Sequence, residues 1–145
     1  MTTFETIIRG GTVVDGTASE PVITDLGING DTIAALGDLS SSNARTEINA
    51  TGMHVSPGFI DAHGHSDYTL LADGRAFSQV SQGVTTEVIG NCGHGCAPIV
   101  GDPESFTGNI YGYTGNPELS WHTFGEYLGR LQAVGPAINA VPLVP

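Results

Sequence analysis

The stretch that decides the fold is Ser56-Pro57-Gly58-Phe59-Ile60-Asp61-Ala62-His63-Gly64-His65-Ser66-Asp67. Phe59-Ile60-Asp61-Ala62 reads as a short buried strand, apolar on both faces near its start, as in a parallel sheet covered by helices. The strand ends in two histidines one residue apart. Side chains alternate along an extended chain, so His63 and His65 share a face. Two imidazoles on one face at a strand end converge on a single metal ion without any loop folding back. Asp61 has the same parity and is placed to orient one imidazole from below. Asp67 lies just beyond the pair, where it can support the ligands or touch a substrate.

Downstream of this stretch, Arg75 to Gln82 is expected to be helical, with Phe77 and Val80 three apart and Gly83 suited to a C-terminal cap. Val84-Thr85-Thr86-Glu87-Val88-Ile89 is a β-branched strand that ends in Gly90-Asn91-Cys92-Gly93. Glu87 needs a partner if buried and reads as a structural polar plug. Residues from 97 to about 120 read as a long irregular loop, rich in glycine and proline, of a length that often carries function. Thr123-Phe124-Gly125-Glu126 has capping-box spacing, and Phe124, Tyr127, Leu128 and Leu131 form the apolar stripe of a helix that stops at Gly135-Pro136. Ala137 through Val144 begins a third apolar strand. The order βαβαβ implies parallel strands joined by right-handed crossovers. Active sites of parallel α/β folds lie at the carboxyl ends of the strands, so Cys92 is expected to join His63 and His65 as a metal ligand. Cys96 is expected to be a small packing residue. His94 and His122 read as exposed or peripheral to the site, and His54 as closing a strand edge.

Upstream, the first 55 residues read as a small antiparallel β unit. Glu5 to Arg9 is a strand halted by Gly10-Gly11, and Thr12-Val13-Val14 resumes it. Val22 to Ile28 runs into Asn29-Gly30, a strong hairpin signal, and Asp31 to Leu36 returns. Arg45 to Ala50 alternates as a further strand.

Composition narrows the function classes. The 145 residues carry four arginines and no lysine against fifteen acids, a net charge of −11. Such a surface lacks the basic footprint that nucleic acid or an anionic membrane needs. No apolar run approaches the roughly 20 residues of a membrane span, and the start has neither a positive patch nor an apolar run, so a cytoplasmic protein is expected. Two cysteines do not make a disulfide framework; in a reducing compartment they are thiols or metal ligands.

Val55-Ser56-Pro57-Gly58-Phe59-Ile60-Asp61-Ala62-His63-Gly64-His65 resembles the opening signature of the amidohydrolase superfamily, metal-dependent hydrolases built on a (β/α)8 barrel. Gly83-Val84-Thr85-Thr86, followed by Gly90-Asn91-Cys92-Gly93 and Ala97-Pro98, is similar to its D-aminoacylase branch, the N-acyl-D-amino-acid deacylases. The resemblance implies residues 1–55 as N-terminal strands of a small β-sandwich lobe. It implies residues 56–145 as the first three strands and crossover helices of a barrel that needs about 250 residues in full, so the chain reads as an N-terminal fragment. It further implies one or two zinc ions, with His63 and His65 on one metal position and Cys92 as a zinc ligand at the tighter or shared position. The remaining histidine ligands and the aspartate base of such enzymes lie on later strands, which leaves no catalytic base within these residues. The implied reaction is hydrolysis of the linear amide of an N-acyl-D-amino acid, a small-molecule substrate, to a carboxylate and a D-amino acid. A cyclic-amide hydrolase of the dihydroorotase or hydantoinase kind is the alternative, against which Cys92 in its Gly-Asn-Cys-Gly setting argues. A non-catalytic metal-binding fragment is the other alternative for this chain taken alone.

Overall fold

Strand-forming residues dominate the start of the chain, helices enter after the His-Gly-His stretch, and the computed structural model, which describes residues 3–144, follows that division. The chain splits into two units, Met1–Pro57 and Gly58–Pro145. Both are sheet-based, and the second is mixed α/β.

The first unit is one five-stranded sheet. Strands β1 (Thr3–Val13), β2 (Val22–Asn29), β3 (Thr32–Gly37) and β4 (Asn43–Asn49) lie in the order β3-β2-β1-β4, and β5 (His54–Val55) also pairs with β1. The β2–β3 hairpin turns at Asn29-Gly30 as expected, with Gly30 at φ +58°. Two expectations are corrected. Gly10-Gly11 does not end the first strand; it forms a bulge within it, where the register slips between Ile8 and Gly11. Gly10 takes φ +63°, open to a residue without Cβ, and its N–H donates to Asp25 Oδ1 at 2.9 Å. The unit is also not wholly antiparallel, because β4 and β5 run parallel to β1. Arg9 on β1 secures this pairing: its guanidinium donates to Glu47 on β4 at 2.6 and 3.2 Å, to Asp25, and to the carbonyls of Leu39 and Ser42 in the preceding turn. Phe4, Ile7, Leu26 and Ala50 are the buried apolar residues.

In the second unit β6 (Phe59–Asp61), β7 (Val84–Ile89) and β8 (Asn139–Pro142) form a parallel sheet in the order β6-β7-β8. Phe59 and Ile60 are 59% and 69% exposed, not buried as the apolar run implies, and among the described residues β6 lies at the edge of the sheet beside β7. A short turn, α1 (Thr69–Ala72), comes first, and the helix expected over 75–82 is present but shorter, as α2 (Phe77–Val80). Asp73 lies between them: its carboxylate accepts the Arg75 backbone N–H at 3.1 Å and the guanidinium at 2.8 and 2.6 Å. Those bonds hold its carboxyl at about 2. Ala76 then adopts φ +46°, which no α-helix continues through. The long loop does contain one turn, α3 (Pro103–Phe106), with Asp102 as its N-cap, and it is anchored by the buried Ile99, Ile110 and Leu119. These side chains join Tyr68, Leu70, Ile89, Trp121, Tyr127 and Leu131 in the main core.

Helix α4 (Phe124–Val134) starts at a complete capping box: Thr123 accepts from the Glu126 N–H, and Glu126 accepts from the Thr123 N–H at 2.9 Å. Tyr127 and Leu131 face the core, and Gly135 closes the helix at φ +62°. Thr123→Ala is expected to lower stability by about 1 kcal/mol, read from the urea midpoint. The Glu126 carboxyl lies below its ordinary value because it accepts backbone N–H groups of Thr123 and His122. A depressed folded value contributes stability above the ordinary glutamate range and loses it as pH falls through the folded value. The stability gap between wild type and Glu126→Gln should therefore be present at neutral pH and close in acid.

Candidate metal centre

β6 delivers Asp61 to the sheet's carboxyl edge, and the chain then turns through His63-Gly64-His65. The turn is held by its glycine. Gly64 N–H donates to the Val88 carbonyl at 2.8 Å, and Gly64 C=O accepts the Asn91 side-chain amide at 3.0 Å. The same amide bonds Val88 C=O at 2.9 Å, so Asn91 ties the histidine segment to the end of β7. Asn91 precedes Cys92, and one short side chain thereby sets the spacing between both candidate ligand segments.

Cys92 sits in a tight helical turn, Asn91–Gly93, at φ +60° and ψ +20°. A non-glycine residue in this left-handed region costs about 1–3 kcal/mol and persists where its surroundings over-determine it. The neighbouring Gly90 is at φ +83° with no room for a Cβ, which would lie 2.6 Å from the Leu143 carbonyl oxygen. The glycines of Gly-Asn-Cys-Gly thus permit a turn that presents the thiol.

The sequence places His63, His65 and Cys92 together, and so does the fold. One ligand atom from each lies within 4.8 Å of the other two. His63 Nε2 is 3.2 Å from Cys92 Sγ, and the two imidazoles are 5.4 Å apart at 68°. Two imidazoles and a thiol are the donor types that suit zinc. His65 Nδ1 is buried and has no hydrogen-bond partner among the described residues. A buried lone pair or N–H without a partner is costly, and a cation among these three donors resolves it. The residues fit a metal ion.

Both supporting acids bond the backbone around the ligand segments. Asp61 Oδ1 accepts the His63 backbone N–H at 3.0 Å and so shapes the turn. Asp67 is buried and works through the chain as well. Its carboxylate accepts the Gly90 N–H, its carbonyl accepts the Tyr127 hydroxyl at 3.0 Å, and burial pushes its carboxyl up. Cys96 is buried, and burial also raises its thiol, which marks it as a packing residue. His94 is half-buried, its Nδ1 3.2 Å from the Asn109 carbonyl, and His122 is exposed. Tyr111, from the long loop, was not singled out by any sequence pattern. Its ring lies 4.8 Å from both His65 and His94.

A parallel α/β sheet whose strand ends gather two imidazoles and a thiol defines a class, that of α/β proteins with a candidate metal centre at the strand ends. The family is more specific. The sequence profile of the Amidohydrolase family matches residues 46–141, and the chain belongs to that family. It is 39% identical over 141 residues to the D-aminoacylase of Alcaligenes xylosoxydans xylosoxydans, an alignment covering 97% of this chain and 29% of that protein. Its fold matches a solved D-aminoacylase, described for its binuclear metal centre, with a TM-score of 0.84 and 43% identity, covering 97% of this chain and 29% of the other. It also matches the N-acyl-D-glutamate deacylase of Bordetella bronchiseptica, solved with zinc and a phosphonate inhibitor, with a TM-score of 0.82 and 33% identity, covering 98% and 29%. The chain thus spans under a third of the length of these relatives. Among the described residues no helix is long and apolar enough to cross a membrane.

Proposed function

We propose that this chain supplies the opening part of a zinc-dependent amidohydrolase that cleaves the linear amide of N-acyl-D-amino acids, releasing a carboxylate and a D-amino acid. The observation that carries the proposal is the convergence of His63, His65 and Cys92 at the carboxyl ends of adjacent parallel strands. The similarity to enzymes that act on N-acyl-D-amino acids supports the substrate class. In this reading β6, β7 and β8 are the first three strands of a (β/α)8 barrel. The five-stranded sheet is part of a β-sandwich lobe, supported by an apolar groove on it lined by Ile8, Ile28, Ile33, Leu36 and Val55.

His63, His65 and Cys92 would hold the metal, either one ion or two with Cys92 at the shared position. Zinc, when bound, supplies Lewis acidity that makes water nucleophilic near neutral pH and polarises an acyl carbonyl. Asp61 and Asn91 keep the two ligand segments in register through the His63 N–H and the Gly64 carbonyl. Asp67 fixes the turn that leads to Cys92 through the Gly90 N–H. Tyr111, 54% exposed beside His65, stands at the mouth where a substrate enters. The proton on the attacking water falls to an aspartate that the family places beyond these strands.

The test is to load the full-length protein with zinc and follow amine release from N-acetyl-D-amino acids and their L-enantiomers, and ring opening of hydantoin to its N-carbamoyl acid. Turnover of the D-amides with neither of the others is expected. Hydantoin opening without amide cleavage would overturn the linear-amide assignment.

A further inference from the structure

Behind the His63-Gly64-His65 turn lies a buried carboxylate that the proposed chemistry does not use. Glu87 is 2% exposed, in the middle of β7, paired in register with Asp61 and Ala140. Its Oε2 accepts the Gln79 side-chain amide at 3.2 Å, and the same amide donates to Ser66 Oγ at 2.8 Å. Ser66 immediately follows His65. A Cβ added to Gly64 would fall 1.8 Å from Glu87 Oε1 and 2.4 Å from its Cδ, so the carboxylate occupies the space a side chain at position 64 would need. Burying a carboxylate costs several kcal/mol unless it is well bonded, and no Arg, Lys or His pairs with Glu87 among the described residues.

We propose that Glu87 is a positioning residue for the candidate metal ligands, its carboxylate backing the Gly64 peptide and, through Gln79 and Ser66, fixing the turn that sets His63 and His65 opposite Cys92. The turn is held on three sides. Val88 C=O takes the Gly64 N–H, Asn91 takes its carbonyl, and Glu87 closes the remaining face. This inference rests on the metal-site reading above.

The experiment titrates the full chain with cobalt(II) and follows the thiolate-to-cobalt charge-transfer band, which reports the Cys92 bond independently of any turnover. Glu87→Ala is expected to weaken cobalt binding about ten- to a hundredfold, and Glu87→Gln, which keeps the volume and an acceptor oxygen, to restore most of it. Gln79→Ala loosens the carboxylate without altering the sheet, and is expected to weaken binding in the same direction even if Glu87→Ala fails to fold. Wild-type affinity in a folded Glu87→Ala protein, or in Gln79→Ala, would overturn the positioning role alone. No charge-transfer band in the wild type would overturn the metal site itself and this inference with it.

Discussion

Cys92→Ser is expected to weaken zinc binding by more than about a hundredfold, beyond what loss of a supporting contact around a metal costs, while the chain keeps its secondary structure. The side chain is exposed, and among the described residues its hydrogen-bond contact is with His63 Nε2 at 3.2 Å, so little packing depends on it. What serine removes is the soft donor: a hydroxyl does not ionise near neutral pH, whereas a thiol beside a metal does. Cys96→Ala is the matched control. Its thiol is buried and raised by desolvation, which opposes the thiolate that binding needs, and zinc affinity is expected to stay at the wild-type value. Equilibrium competition with a chromogenic chelator reads both variants.

The largest effect on folding is expected at Trp121. The indole is 2% exposed, its Nε1–H donates to the Cys96 carbonyl at 2.7 Å, and its ring lies 5.9 Å from that of Tyr127. Trp121→Ala leaves a cavity beside Tyr127 and an unpaired buried carbonyl, at a cost of about 3–5 kcal/mol. That is a large part of the 5–15 kcal/mol typical of a folded protein. The carbonyl in question stands four residues after Cys92, so the same substitution loosens the segment that presents the thiol. A chemical-denaturation midpoint measures the first effect, and zinc affinity at a temperature where the variant is folded measures the second.

The parts of this architecture that were legible in the sequence are those written locally. The Val84–Ile89 strand, the Asn29-Gly30 hairpin and the Thr123–Glu126 capping box each depend on neighbours within a few positions, and each is found where the pattern places it. The parallel order of β6, β7 and β8 followed from the alternation of strands and helices. What could not be read depends on distant partners. Gly10-Gly11 looked like a break because its bulge is held by Asp25 on the next strand. The β4 strand pairs in parallel with β1, a segment far away in the sequence, which no local pattern records. The helix expected over 75–82 starts later than its pattern, at Phe77, because Ala76 before it takes a left-handed φ of +46°. At the candidate site, His63, His65 and Cys92 were legible as ligand types at strand ends. Gly64 was visible only as the residue between two histidines; its reason, the Glu87 carboxylate behind it, appears once β7 is laid beside β6. Asn91 was likewise present in a quoted motif, with its double hydrogen bond to Gly64 and Val88 unforeseen. Tyr111 lies in a loop with no periodic signal at all.

The proposed metal centre has His63, His65 and Cys92 among its ligands. Zinc-edge X-ray absorption on the zinc-loaded chain tests it directly. A single sulfur neighbour is expected at about 2.3 Å with imidazole nitrogens at about 2.0–2.1 Å, the sulfur shell vanishing in Cys92→Ser and the imidazole scattering falling in His63→Ala. A shell of oxygen alone, or a sulfur shell that survives in Cys92→Ser, would contradict it.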